Sequence, residues 1–428
     1  MTSPLSLYLH LPWCVRKCPY CDFNSHTAGA AADKRRYVDA VIGDLKLEAA
    51  QAAQRTVQTV FFGGGTPSFF SSGEIGRLLD AAALHLNLAD DAEITMEANP
   101  GTVERDQLSA YRGAGVNRLS LGAQSFNNDS LRRLGRIHGS DEIESALRDA
   151  EQAGFDSINL DLMYALPGQN LAMAMEDLRR AIGFSPQHIS WYQLTLEPNT
   201  VFHARPPPGL PDEQLTAAIE EQGYELLAAA GFRRYETSAF AKAGYRCRHN
   251  LNYWQFGDYL AAGAGAHGKL TDDGGRVRRY RKPAHPVSYM RAIETGLLDD
   301  HMQELAPPDV AFEYMLNALR LTDGFTRADF LARTGLSWNR VAAGIARAVS
   351  LGLLSPEEHE AGGGALFRPT ERGNRFLNDL QALFLPATVE GATESHEGSH
   401  AAATRQPGAS FYSQGERSLY FPGAKLPN

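Results

Sequence analysis

Cysteine is scarce in this sequence: four residues in 428, at Cys14, Cys18, Cys21 and Cys247. That excludes a disulfide-built secreted scaffold, which spreads many cysteines over a short chain. Uncharged apolar runs of about 18 residues are missing too, so no membrane span is expected. A basic block is also missing. Lysine and arginine number 41 against 50 aspartates and glutamates, a formal net charge of −9, and nucleic acid is not an expected partner. The opening segment, MTSPLSLYLHLPWC, has no basic region ahead of its apolar run. It reads as a first strand rather than a signal peptide, and the expected compartment is the reducing cytoplasm. No solenoid-type repeat is visible.

What is present suits a globular protein: 43% hydrophobic and 21% charged residues, in a chain long enough for two or three domains. Six short apolar runs recur: Leu5–Leu11, Thr56–Phe62, Glu93–Ala98, Val116–Ala123, Ser157–Leu166 and His188–Leu196. Helix-periodic stretches such as Asp33–Gln54, Gly73–Leu86 and Ser140–Ala153 lie between them. Strands alternating with helices predict a parallel sheet built from right-handed crossovers. Six units predict an α/β fold in the form of a partial (β/α)6 barrel over residues 1–235. Most of the runs end in a polar or glycine-rich phrase, where parallel β/α folds carry their chemistry.

Pro206-Pro207-Pro208-Gly209 breaks the pattern. A helix at Asp212–Ala230 and a strand at Arg234–Ala239 are expected after it. Residues 236–305 are glycine- and aromatic-rich and weakly periodic, and are expected to be an irregular connecting segment. Residues 306–385 predict a small helical domain of winged-helix type, with paired helices in Phe330–Leu354 and a wing near Leu366–Thr370. From residue 386 to 428 the chain is rich in alanine, glycine, serine, threonine and glutamate, and is expected to be disordered. Phe411, Tyr412, Tyr420 and Phe421 in it are read as a frayed tail, with a docking motif as the alternative.

Three cysteines fall within the eight residues Cys14-Val15-Arg16-Lys17-Cys18-Pro19-Tyr20-Cys21, just after the first strand. One loop can wrap three thiolates around one side of a small metal cluster, and Arg16 and Lys17 favour the ligating thiolate. A cubane normally takes four cysteines, so three leave one iron open. The alternatives are a zinc site completed by His26 and plain buried thiols. After the second run comes Gly63-Gly64-Gly65-Thr66-Pro67, which leaves backbone groups open to close approach, although a tight turn needs no more than that. Glu97 ends the third run and Asp161 lies in the fifth; carboxylates there suit a ribose or an ammonium group.

The four-then-three cysteine spacing after strand one resembles the radical S-adenosylmethionine (radical SAM) superfamily. The phrases Tyr8-Leu9-His10-Leu11-Pro12-Trp13-Cys14, Gly63–Pro67 and Leu119–Phe126 resemble its oxygen-independent coproporphyrinogen III oxidase group, over about residues 5–385. The resemblance implies a 4Fe-4S cluster on Cys14, Cys18 and Cys21 whose open iron takes S-adenosylmethionine. An electron from such a cluster cleaves the sulfonium to a deoxyadenosyl radical. It also implies cosubstrate contacts at Tyr8, Tyr20, Gly63, Gly64, Gly65, Thr66, Glu97, Gln124, Arg136 and Asp161.

Within that group two features resemble the haem-chaperone subgroup. Phe23 stands where the oxidases carry a further cysteine, and His249-Asn250-Leu251-Asn252-Tyr253-Trp254 matches its HNxxYW phrase. The implied ligand is haem and the implied partner a haem-acceptor protein, such as a respiratory enzyme, reached without a membrane span but with room for peripheral membrane contact. An imidazole can ligate haem iron and flat aromatic rings can cover a porphyrin, so His249 is the expected haem contact. Arg246 and Arg248 would pair with propionates. His10 and His267 compete as haem ligands, Cys247 reads as a plain buried thiol with covalent attachment to haem as its alternative, and a packed aromatic turn is the alternative for the phrase. The competing functions are coproporphyrinogen oxidation, which the missing cysteine disfavours, and radical chemistry on another substrate.

Overall fold

The computed structural model describes residues 3–29, 33–103, 105–298, 301–358 and 364–386. The tail from residue 387 onward, with Phe411, Tyr412, Tyr420 and Phe421, lies outside them.

The six expected strands are β1 (Leu5–Leu11), β2 (Thr56–Gly64), β3 (Asn87–Ala98), β4 (Arg118–Gln124), β5 (Ser157–Tyr164) and β6 (His188–Gln193). Each pairs in parallel with the next. Helices α1 (Lys34–Ala52), α2 (Ser72–His85), α3 (Arg105–Gly113), α4 (Ser140–Gln152) and α5 (Leu171–Gly183) provide the crossovers. All seven residues of β1 are buried, as expected of a central parallel strand covered on both faces. One face is apolar: Leu5, Leu7, Leu9 and Leu11 join Val60 and Phe62 in the main core with Tyr37, Val41 and Leu45 of α1. Alternation puts polar side chains on the other face, among them Ser6, Thr59, Glu93, Arg118, Asn159 and His188. That face lines the barrel interior.

Two expectations need correction. After helix α6 (Glu213–Ala229), the strand expected at Arg234–Ala239 is two short strands, β7 (Arg233–Arg234) and β8 (Ala239–Ala241). They pair antiparallel with one another, and residues 235–238 make the turn between them. The segment expected to be irregular is ordered. It holds helix α7 (Arg248–Trp254), strands β9 (Asp258–Ala262), β10 (His267–Thr271) and β11 (Val277–Arg281), and helix α8 (Pro286–Thr295). Strand β9 lies beside β1 in parallel register, Leu5 opposite Asp258 and Leu9 opposite Ala262, so the parallel sheet gains a seventh member. All five β9 residues are buried, which erases the alternation that marks a half-exposed strand. With β12 (Gln303–Glu304), the full order is β12-β11-β10-β9-β1-β2-β3-β4-β5-β6-β8-β7.

A buried charge cluster fastens this segment to α1. Lys282 Nζ lies 2.9 Å from Asp44 Oδ1 and 2.7 Å from Glu48 Oε1, all three side chains closed to solvent. Tyr289 and the Gly263 amide donate to Asp44 Oδ2, at 2.7 and 3.2 Å. Breaking one member of such a pair leaves a bare buried charge, so the cluster specifies how the segment docks.

The C-terminal part contains α9 (Pro307–Ala318), α10 (Arg327–Thr334) and α11 (Ala342–Ser350). A three-stranded sheet joins Phe325–Thr326, Ala365–Pro369 and Leu354–Glu358, which matches the winged-helix expectation. Its own core, built around Phe312, Tyr314, Met315, Phe330 and Leu380, also takes in Phe256 and Val277 from the preceding segment.

Candidate functional site

The cysteine loop is held at both ends. Short strands Trp13–Cys14 and His26–Thr27 pair with each other, and the His26 and Ala28 amides donate to the Pro12 and Cys14 carbonyls at 2.7 and 2.8 Å. Lys17 Nζ donates to the carbonyls of Phe23 (3.0 Å) and Ser25 (3.2 Å), so it braces the loop from within. The Asn24 amide donates to the Ala264 and Ala284 carbonyls, both at 2.9 Å, and anchors the loop to the ordered segment beyond β9.

The glycine phrase sits directly against this loop. The Gly65 and Thr66 amides donate to the Leu11 and Trp13 carbonyls, both at 2.8 Å. A Cβ on Gly65 would stand 2.7 Å from the Pro12 carbonyl carbon, so the two backbones approach in a way only glycine permits. Gly64 has φ +118°, and a Cβ there would strike the His10 ring.

These elements open on one cleft at the C-terminal ends of the parallel strands. Cys14, Cys18, Cys21, Tyr20, Gly64, Gly65, Thr66, Glu97, Gln124, Arg136 and Asp161, all expected from the sequence, line it. Gly63 and Tyr8 stand behind its wall: a Cβ on Gly63 would lie 3.0 Å from the Tyr8 ring, and Tyr8 donates to or accepts from His10 Nδ1 at 3.1 Å. His249 lies elsewhere. Asn99, Ser120, Tyr192, Leu194, Thr195 and Glu197 also line it and were not singled out by sequence. For Ser120 and Tyr192 the signal was available: each alternates with polar interior residues along its strand, Arg118 before Ser120, and His188 and Ser190 before Tyr192.

Arg136 Nη1 reaches Cys18 Sγ at 3.7 Å and its Nη2 donates to the Gly122 carbonyl at 2.9 Å. Ser25 Oγ lies 3.6 Å from Cys21 Sγ. The expectation that nearby lysine and arginine would favour thiolates is corrected for two cysteines. Burial pushes Cys14 up and Cys21 up to about 11, outweighing the lowering by Lys17 at Cys21 and by Arg136 at Cys14. A metal must therefore displace protons on binding. Burial, then the charge of Asp161, pushes Glu97 up to about 8, although the Gly64 amide at 3.3 Å favours its ionised form. Burial also raises Asp161, against donation from Asn159 (2.8 Å) and Ser120 (3.0 Å).

The cleft fits an iron–sulfur cluster with a polar cosubstrate beside it. Its three thiols are free and face a common space. Among the described residues no group of three or more His, Cys, Asp or Glu side chains closes tightly enough to hold a single ion. A cubane is larger, so its ligands stand further apart. His26, the fourth ligand of the zinc alternative, does not line the cleft; its Nε2 pairs with Asn24 Oδ1 at 3.2 Å. Two buried polar atoms in the lining, Gln124 Oε1 and Arg136 Nε, lack a hydrogen-bond partner within the protein. Gln124 sits at φ +63°, a strained backbone for a residue with a side chain. Unsatisfied atoms of this kind call for a polar ligand.

The haem expectation at His249 meets a different geometry. The phrase His249–Trp254 is not a turn but most of helix α7, and it plugs the N-terminal end of the barrel. His249 Nδ1 pairs with Thr59 Oγ1 at 2.7 Å and Nε2 with Tyr253 Oη at 2.8 Å, so neither nitrogen is open to iron. Tyr253 and Trp254 are buried rather than presented as flat faces. Arg246 pairs with Asp323 and Arg248 with Asp91. Cys247 Sγ donates to Glu93 Oε1 at 3.6 Å, and His10 uses both nitrogens within the protein, on Tyr8 and the Asn24 carbonyl.

Comparison with known proteins follows the same division. Residues 8–181 match the family model of the radical SAM superfamily, and residues 305–376 match that of the HemN C-terminal domain. The chain is 48% identical to the heme chaperone HemW of Escherichia coli K12 and 46% to that of Haemophilus influenzae, each over 89% of this chain and 98% of the relative. It is also 37% identical to the mitochondrial radical S-adenosyl methionine domain-containing protein 1 of Bos taurus, over 67% of this chain and 66% of that one. Among solved structures it resembles coproporphyrinogen III oxidase (HemN) of Escherichia coli, a radical SAM enzyme, with TM-score 0.75 and 23% identity over 90% of both chains, a likeness of fold. The chain is a radical SAM protein. Within that superfamily it belongs to the HemW family.

Proposed function

We propose that this chain is a haem chaperone of the radical SAM type, which binds haem and passes it to an acceptor protein. The observation that carries the reading is the cleft, where the three-cysteine loop and the cosubstrate residues meet while Phe23 stands on the same loop in place of a further thiol. The chaperone names of relatives up to 48% identical support the haem half of the proposal. Cys14, Cys18 and Cys21 hold a 4Fe-4S cluster, with Arg136 directed at Cys18. S-adenosylmethionine would be held by the Gly64–Thr66 backbone, Glu97, Gln124 and Asp161, with Tyr20 as the adenine contact. When bound, the cluster supplies an electron and an open iron for chelation. This chain's own residues orient the ligand and exclude water. Tyr8 and Gly63 act from behind the wall, by shaping it.

Haem is assigned to the chain without a ligand residue. Ligation by His249 requires α7 to leave its seat in the barrel. The acceptor is a haem-requiring protein, such as a respiratory enzyme, met in the cytoplasm or at a membrane surface; no helix among the described residues is long and apolar enough to cross a membrane.

The test pairs two assays on anaerobically reconstituted, reduced full-length protein. Hemin titration should produce a saturable Soret shift, and the loaded protein should pass haem to a haem-free acceptor. Incubation with coproporphyrinogen III and S-adenosylmethionine should leave the porphyrin unchanged. Accumulation of protoporphyrinogen IX would favour the oxidase reading and overturn this one.

A further inference from the structure

The interior of a β/α barrel is ordinarily filled by branched apolar side chains. Here it is apolar only beside β1, β2 and β9, at Tyr8, Phe61 and Ala261; elsewhere polar side chains fill it, and their hydrogen bonds include a line. At the plugged end, Glu93 caps the first turn of α7: its carboxylate accepts from the Arg248 amide at 3.1 Å and the His249 amide at 3.0 Å. Just before the helix, the Cys247 amide donates to Tyr235 Oη at 3.3 Å. Tyr235 Oη lies 2.8 Å from His188 Nε2, and His188 Nδ1 lies 2.6 Å from Asn159 Oδ1. The Asn159 amide donates to Asp161 Oδ1 at 2.8 Å, and Asp161 lines the cleft.

The direction of this line is fixed. Asn159 Oδ1 can only accept, so His188 carries its proton on Nδ1 and accepts through Nε2. Tyr235 must then donate its hydroxyl proton to His188 while accepting from the Cys247 amide. Every donor from α7 onward points toward the Asp161 carboxylate, and such one-way chains polarise and strengthen each bond in them. Tyr235 and His188 are buried at 0% and 1% exposure, so water does not short-circuit the line. Burial keeps His188 neutral, the form that can both donate and accept. Arg118 lies alongside, 3% exposed, with Nε lacking an acceptor and its charge felt by Cys247, Glu93, Tyr235 and Asp161. A buried guanidinium with an unmet donor destabilises a merely structural core.

We propose that Asn159, His188 and Tyr235 are positioning residues that couple the cosubstrate cleft to helix α7, so that filling the cleft seats α7 more firmly at the opposite end of the barrel. A ligand group bonded to Asp161 fixes the terminal acceptor, and each donor behind it loses freedom. The inference rests on the reading that the cleft takes S-adenosylmethionine. It gives the cluster end of the molecule a means of controlling the segment that carries the HNxxYW phrase, without contact between the two.

Amide hydrogen exchange across residues 246–257 of the full-length, cluster-reconstituted protein tests the coupling, with S-adenosylmethionine binding measured separately by equilibrium dialysis. In the unaltered protein, saturating S-adenosylmethionine should slow exchange in α7 at least about fivefold, the lower end of common coupling strengths. Tyr235→Phe removes one hydroxyl and keeps the ring. It should bind S-adenosylmethionine and lose the slowing. His188→Gln cuts the line one step nearer the cleft and should lose it too, which covers a failure of the first variant to fold. A purely structural role would raise exchange equally with and without ligand, leaving the ratio intact. Retention of that ratio in both variants, or α7 exchange unchanged or faster in the unaltered protein while S-adenosylmethionine binds, overturns the coupling alone. Failure of S-adenosylmethionine to bind overturns the functional reading and the coupling together.

Discussion

Cys18 is the thiol that Arg136 addresses directly, at 3.7 Å, and it lies at the centre of the loop. Cys18→Ser replaces a soft sulfur donor with a hard hydroxyl of similar shape. It should abolish the charge-transfer absorbance and most of the iron of anaerobically reconstituted protein, and retention of full iron would contradict the ligand assignment. Glu97 makes a pH prediction. Its carboxyl titrates at about 8 in the fold, against an ordinary value near 4.5, so the folded chain keeps a proton that the unfolded chain has lost. Stability of the apo-protein should therefore fall as pH rises toward 8. Below about 6.5 the buried histidines, His10 at about 4 and His249 at about 3, act in the opposite sense. Between about pH 6.5 and 8 the histidines no longer oppose it, but Glu48, pushed up to about 7 by burial, and Asp161, raised by burial, slope the same way as Glu97. The share due to Glu97 should not exceed about 1.4 kcal/mol per pH unit, softened by the access of water to the cleft. It is the difference in slope between the unaltered protein and Glu97→Gln in urea titrations run across that window; equal slopes would contradict the raised carboxyl. His249, with both nitrogens bonded inside the protein, should behave as a structural residue. His249→Ala should cost about 2–4 kcal/mol, read as a lower urea midpoint at unchanged slope, because Thr59 and Tyr253 lose partners and a void opens.

Among the elements, the junction of the cysteine loop with the glycine phrase carries the site. Gly65→Ala would force a methyl against the Pro12 and Trp13 backbone, which cannot yield as a flexible side chain would. The variant should bind S-adenosylmethionine at least about tenfold more weakly, roughly 1.4 kcal/mol, and lose iron faster than the unaltered protein on dilution. Equilibrium dialysis and iron release measure the two effects. This junction was legible because both phrases follow strands and glycine advertises close approach. The six strands were legible for a related reason: their apolar runs are short, β-branched and bounded by turn residues. Strand β9 was not, since Asp258–Ala262 is short, carries two alanines and pairs with β1 some 250 residues away. Helix α7 was not legible as a packed element, for the opposite reason. Its histidine and aromatics read as a binding surface, yet seven residues of helix become a plug only through Thr59 and Glu93, which lie on strands far off in sequence.

At the scale of the whole molecule, the chain has a cleft at one end of a polar barrel and a helical plug at the other, with a winged-helix lobe sharing its core with the segment that bears the plug. A fold of this kind separates the cluster from the HNxxYW helix by the length of the barrel strands. Sequence alone placed the cleft's main residues, because the strand-end phrases hold them. It did not pair Asn159 with His188, a contact that depends on how neighbouring strands register. The central claim is that three thiols hold a cluster with one iron left for S-adenosylmethionine. Anaerobic reconstitution followed by iron and sulfide analysis and electron paramagnetic resonance of the reduced protein, before and after adding S-adenosylmethionine, tests it most directly. About four iron and four sulfide per chain, with a signal that shifts when S-adenosylmethionine is added, is the predicted result. Zinc in place of iron and sulfide, or a cluster signal indifferent to S-adenosylmethionine, would contradict it.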